Sequence, residues 1–241
     1  MRRTFTLQMV KVIYFLLVST LSIIGNSKLA IAYGIVPDDL SVGDTYHLIF
    51  VTDGTIQSSS RNISFYDSFI TEQANAEGSF YQNLDVDWRA IGSTDVLWAQ
   101  GHAYPGYDSP VYMVTSLADS PVRIENNTYG LWGGPDSQRI FAPINRTQFG
   151  DAYNGHVWTG SYQGGDPVRN AHLGAGNTIW GYTGTTSTVW IYGSVQPGSD
   201  YLPMYGISSQ LTVSPVPIPG AVWLLGSGIV GLVGLRKKYL Q

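Results

Sequence analysis

Acids, histidines, serines and loop aromatics are the groups in this 241-residue chain with reactive or binding potential. Asp85-x-Asp87 stands just before Trp88, and Asp151–Asn154 and Asp166–Asn170 are two further oxygen-rich stretches. Such carboxylates can hold Ca²⁺, or serve a glycan hydrolase if two of them face each other roughly 5–10 Å apart. The plainer role is a solvated turn in an acidic protein, and neither later stretch has the ligand ladder and central glycine of an EF-hand loop. His47, His102, His156 and His172 stand singly, without metal-ligand spacing, so no metal site is expected from them. Calcium on the acidic loops stays an open alternative to no cofactor at all. With no cysteine and no Gly-x-Ser-x-Gly element, and with Gly92-Ser93 and Gly160-Ser161 in ordinary strand-to-loop contexts, no catalytic residue is assigned. Tyr104-Pro105-Gly106-Tyr107 and Trp180-Gly181-Tyr182 read as loop aromatics of the kind that stack on sugar C–H faces. Their competing role is packing: a domain without disulfides must draw much of its core from aromatic rings.

The elements that position these groups follow from periodicity. Tyr46–Thr52 is β-branched and aromatic and stops at Asp53-Gly54, which predicts a strand and a turn. Ile63, Tyr66, Phe69, Ile70 and Ala74 recur at helical spacing, with Ser60 or Asn62 to cap and Gly78 to stop, which predicts a helix over Ile63–Glu77. Beyond it, short apolar runs are split by Gly, Pro, Asn and Asp: Trp88–Ile91, Val96–Ala99, Val111–Val114, Val157–Thr159, Val189–Tyr192 and Ser209–Val213. One helix among many short, mostly antiparallel strands is an α+β pattern, with an all-β sandwich as the alternative. Val157–Ser161 and Val189–Ser194 echo one another, but two copies in unlike surroundings make no repeat.

Charge divides the chain. Residues 33–214 hold all 17 acids and six arginines, a formal charge of −11, which repels phosphate backbones and excludes nucleic acid as a partner. Residues 1–32 carry only basic charge, with Arg2, Arg3 and Lys11 ahead of the apolar run Val12–Ile24 and with Asn26–Ala32 ending in Ala30-Ile31-Ala32. This is the layout of a signal peptide cut after Ala32 by signal peptidase, since 13 helical residues reach only about 20 Å. An uncleaved N-terminal anchor is the alternative. Ser214–Pro219 is a Pro-rich hinge that opens into the uncharged Gly220–Leu235 and then Arg236-Lys237-Lys238. That order predicts a transmembrane helix with its basic end in the cytoplasm and residues 33–213 outside, as one extracytoplasmic globular domain.

Val216-Pro217-Ile218-Pro219, Ala221–Gly228 and Arg236-Lys237-Lys238 together resemble the PEP-CTERM sorting tail of bacterial exported proteins, with Ile218 where the name-giving motif has Glu. The resemblance covers about the last 27 residues. It implies an exosortase as processing partner, passage through an inner-membrane intermediate to the cell surface or medium, and association with exopolysaccharide. Most of residues 44–213 in turn resembles the C-type-lectin-like and endostatin-like folds. The resemblance is carried by the Ala74–Gly78 helix end, the strand Trp88-Arg89-Ala90-Ile91, the Val157-Trp158-Thr159-Gly160 strand and the closing runs Tyr205–Ser208 and Leu211–Val213. The lectin cysteines and the Glu-Pro-Asn and Trp-Asn-Asp ligand motifs are absent. The expectation is an exported surface or matrix protein with a structural or glycan-binding domain and no enzymatic role. A secreted hydrolase using acids from Asp85, Asp87, Asp151 or Asp166 is the alternative.

Overall fold

The computed structural model describes residues 34–103, 108–133 and 139–215. The expected signal segment with Ala30 and Ala32, the tail motif from Val216 with Pro217, Pro219 and Arg236–Lys238, and the aromatics Tyr104 and Tyr107 lie outside the described residues. Among those described, no helix is long and apolar enough to cross a membrane.

The chain folds as a mostly β domain with some helix. Its axis is β1 (Thr45–Val51), in which every residue after Thr45 is buried. A strand buried on both faces needs apolar groups in a continuous run, and YHLIFV supplies it. Alternation still sorts the side chains: Tyr46, Leu48 and Phe50 enter one core, Ile49 and Val51 the other. In the main sheet β1 is flanked by three partners. β10 (Tyr205–Ser208) pairs antiparallel with its second half, with Val51 opposite Tyr205. β11 (Leu211–Thr212) pairs antiparallel with its start, with Thr45 opposite Thr212. β4 (Val111–Met113) runs parallel along the other edge, an exception to the antiparallel expectation. β3 (Trp88–Ala90) extends the sheet beyond β10, and β5 (Val122–Glu125) beyond β4. A second sheet joins β6 (His156–Trp158), β7 (Asn177–Tyr182) and β8 (Val195–Pro197). A short ribbon pairs β2 (Ile56–Gln57) with β9 (Tyr201–Leu202).

The predicted helix forms as α1 (Ile63–Ala74) and packs against β3. Asn62 is the cap: its side chain accepts a hydrogen bond from the Ser64 N–H. Ile63, Tyr66, Ile70 and Ala74 are its buried stripe, each large apolar side chain worth about 1.5–3 kcal/mol of burial. The helix stops at Ala74, short of Glu77, and the Asn75 side chain caps its end by donating to the Thr71 carbonyl, which also takes the last helical bond from the Asn75 N–H. A helix against a sheet replaces the sandwich alternative.

Two expected strands are not strands. Val96 is exposed, and the run from Ala99 coils into a four-residue helix, α2 (Ala99–His102), started by the Ser93 hydroxyl accepting from the Ala99 N–H. Val189–Tyr192 contains a 3₁₀ turn over Thr188–Trp190, in which the Trp190 N–H reaches the Ser187 carbonyl. Trp190 and Ile191 are both buried at adjacent positions, which a one-sided strand cannot provide but a turn can. The echo of Val157–Ser161 in Val189–Ser194 therefore pairs a strand with a turn.

Candidate functional site

A cavity of about 420 Å³ opens where three loops meet. The first wall is a 3₁₀ turn, Thr128–Trp132, capped by the Asn127 side chain accepting from the Gly130 N–H and closed by Gly133 in left-handed conformation. Buried Glu125 backs this turn, its side chain lying against the Gly130 Cα and its carboxylate accepting from the Asn126 N–H. Burial pushes that carboxyl above its ordinary range, against the lowering effect of the Asn126 bond.

The second wall is the Tyr162–Asp166 turn, closed by the Tyr162 N–H to the Asp166 carbonyl and the Gly165 N–H back to the Tyr162 carbonyl. Gly165 is required there: its φ is +80°, and a Cβ would sit 2.8 Å from the Gln100 backbone nitrogen and from Trp132 Cε3. Ser93 and Ser161, set aside as nucleophiles on sequence grounds, meet below this turn with their hydroxyls 2.8 Å apart. Ser93 Oγ also donates to the Gly165 carbonyl. These two buried serines fasten the turn and the start of α2 together. Their role here is structural.

The third wall is the Thr188–Trp190 turn with Tyr192. Tyr192 packs its ring 5.1 Å from that of Tyr162, and Trp190 lies 6.1 Å from Trp132. Behind Trp190, Tyr205 is wholly buried, and burial drives its phenol far above the usual range, so it stays a hydroxyl. Leu131, Gly133, Gln163, Gly164 and Thr188 complete the lining, and Asp166 is the charged residue among the described lining residues.

The acids of the sequence analysis are not brought together. Asp85, Asp87 and Asp151 are exposed and do not line the cavity. A glycan hydrolase of the paired-carboxylate kind would set a second carboxylate across the cleft from Asp166, and no other described acid lines it. Among the described residues no group of three or more His, Asp or Glu side chains could hold a metal ion.

Trp180 and Tyr182 project from the same face of β7, half-buried, with His156 between them. The His156 ring lies flat on Trp180 at 3.7 Å and edge-on to Tyr182 at 6.2 Å. One stacking face of Trp180 is therefore taken by protein. The other histidines are also engaged. His47 is buried in β1 with Nδ1 on the Ser208 carbonyl, and burial lowers its pKa. His102 Nε2 meets Asp67 at 2.9 Å, and His172 Nδ1 meets the Leu173 carbonyl.

Trp132, Tyr162, Trp190 and Tyr192 were missed as site residues. The one signal was Asp166, singled out for its oxygen-rich loop, together with the Gly-Gly step before it. The chain matches no protein-family model and no curated protein.

Proposed function

We propose that this is an exported bacterial surface or extracellular-matrix protein whose domain binds glycan in the Trp132–Trp190 cavity. On this reading signal peptidase cuts after Ala32, and an exosortase recognises Val216-Pro217-Ile218-Pro219 and the Arg236–Lys238 cluster. The protein then reaches the cell surface, where exopolysaccharide supplies the ligand. The domain between is taken as C-type-lectin-like. In support, the closing strand β11 returns to pair with the start of β1, α1 packs on the Trp88–Ala90 strand, and Trp158 is wholly buried beside them.

One relationship carries the functional reading. The chain leaves the domain at the start of β1, where the Val213 N–H meets the Asp44 carbonyl. The cavity wall stands at the far end, where Tyr205 opposite Val51 hydrogen-bonds the Trp190 carbonyl. The seven residues of β1 separate the two by about 20 Å. A tether at Val213 thus leaves an aromatic and polar cavity of ligand-binding size at the opposite end of β1 from its anchor.

Mass spectrometry of the natively produced protein tests export and sorting: cleavage after Ala32 and a processed C-terminus are expected. Replacing Pro217 and Pro219, or deleting Arg236–Lys238, should leave a membrane-bound, unprocessed chain. Unchanged C-terminal maturation in those variants counts against the tail. For binding, the mature protein is screened against glycans beside Tyr162→Ala and Tyr192→Ala. Retention by the parent and loss in both variants is expected, and equal retention by all three sinks the cavity assignment.

A further inference from the structure

The cavity has the composition of a cation cage. Of its four aromatic lining residues, Tyr162 and Tyr192 are the accessible ones, Trp132 and Trp190 back them from the core, and the charged lining residue among those described is Asp166. Ring faces carry negative quadrupole charge and attract a cation held above them, more strongly where water is excluded. The Asp166 carboxylate lines the same space, with no cation paired to it among the described residues. Asp39, Asp95 and Asp67 are matched to Arg123, Arg61 and His102, whereas no arginine or histidine among the described residues pairs with Asp166. The surrounding field has the same sign, since residues 33–214 sum to −11.

We infer that the cavity takes an ammonium group. Resting on the glycan reading above, the ligand is an amino sugar with a free, protonated amine. A uronic acid would set a second carboxylate beside Asp166, which like charges in a partly dry site disfavour. An N-acetylated sugar keeps the ring and loses the charge that answers both Asp166 and the rings.

The test titrates the natively matured protein, followed by tryptophan fluorescence and calorimetry. The probes are glucosamine oligomers, the same oligomers fully N-acetylated, uronic-acid oligomers of equal length, and choline. The free-amine oligomer should bind at least tenfold more tightly than its acetylated twin. Asp166→Asn, a near-isosteric change at a part-exposed position, should cut that preference below threefold, and Tyr192→Ala should weaken the free-amine oligomer further. A circular-dichroism melt shows whether each variant is folded. Equal binding of the two twins, or a preference for the uronic oligomer, overturns the inference while the glycan reading stands. Choline bound through Asp166 with no sugar bound keeps the ammonium site and removes the glycan reading. No binding by any probe overturns both.

Discussion

Tyr205 donates its buried phenolic hydrogen to the Trp190 carbonyl across 3.0 Å, with the two rings 5.5 Å apart. The bond ties β10, at the heart of the main sheet, to the turn that forms a wall of the cavity. Tyr205→Phe keeps the ring and leaves that carbonyl without this donor. A loss of about 1–3 kcal/mol in guanidinium unfolding is expected, with weaker ligand binding because Trp190 is freed. An unchanged unfolding midpoint would show that the bond holds nothing in place.

Gly165 and Gly176 make a matched pair. Gly165→Ala forces a Cβ against the Gln100 backbone and Trp132 at a left-handed φ, so destabilisation of about 1–3 kcal/mol and loss of the cavity's shape are expected. Gly176 has open space around it, and Gly176→Ala should be neutral or slightly stabilising. Thermal melts of the two variants side by side decide the matter, and similar midpoints would refute the account of Gly165.

Glu125 sets one sign of the pH dependence. Burial raises its carboxyl above the ordinary glutamate value of 4.5. The native state therefore holds the proton more tightly than the unfolded chain, and Glu125's contribution is full below pH 4.5 and lost as pH rises through the folded value. Glu125→Gln should be more stable than the parent at pH 7, with the gap closing towards pH 4. Asp39 acts oppositely. Its slight burial works to raise the pKa, but hydrogen bonds from Tyr112 and Arg123 outweigh that and lower it. Its contribution is present at neutral pH and lost as acid protonates it. Denaturation midpoints at unit pH steps for parent, Glu125→Gln and Asp39→Asn separate the two, and a gap for Glu125→Gln that widens on acidification would contradict the assignment.

His156 lies 9° from parallel with Trp180. His156→Ala should lower stability by about 0.5–1.5 kcal/mol and shift the emission of Trp180 to the red as its ring face meets water. With that face occupied in the parent, Trp180→Phe should change sugar affinity far less than Tyr192→Ala. The reverse order of effects would move the binding surface to β7.

Gly34, two residues past the expected cut at Ala32, packs so closely on Leu117 that a Cβ would lie 2.3 Å from its carbonyl oxygen. Gly34→Val should leave the cleavage position unchanged and release the new N-terminus to aminopeptidases. The stability loss is expected to be about 1–3 kcal/mol. Equal aminopeptidase resistance in variant and parent would show that the N-terminal tuck does not depend on this contact.

Local chemistry alone was enough for β1 and α1. In β1 each residue from Tyr46 to Val51 is apolar except His47, which is held by Nδ1 on the Ser208 carbonyl. In α1 the stripe at 63, 66, 70 and 74 and the cap at Asn62 lie within a few residues of one another. Such signals are short-range and survive any arrangement of the remainder. The runs at Val96 and Val189 misled because a short apolar segment is compatible with strand or turn until its neighbours choose. The cavity was beyond local reading. Trp132, Asp166 and Trp190 are more than 20 residues apart in sequence, and they meet because Ser93 holds Gly165, Glu125 backs Gly130 and Tyr205 holds Trp190. An aromatic side chain looks the same in a sequence whether it fills a core or faces a ligand. Only the folded packing, which buries Trp158 and Tyr205 completely and leaves Tyr162 40% exposed, separates the two roles.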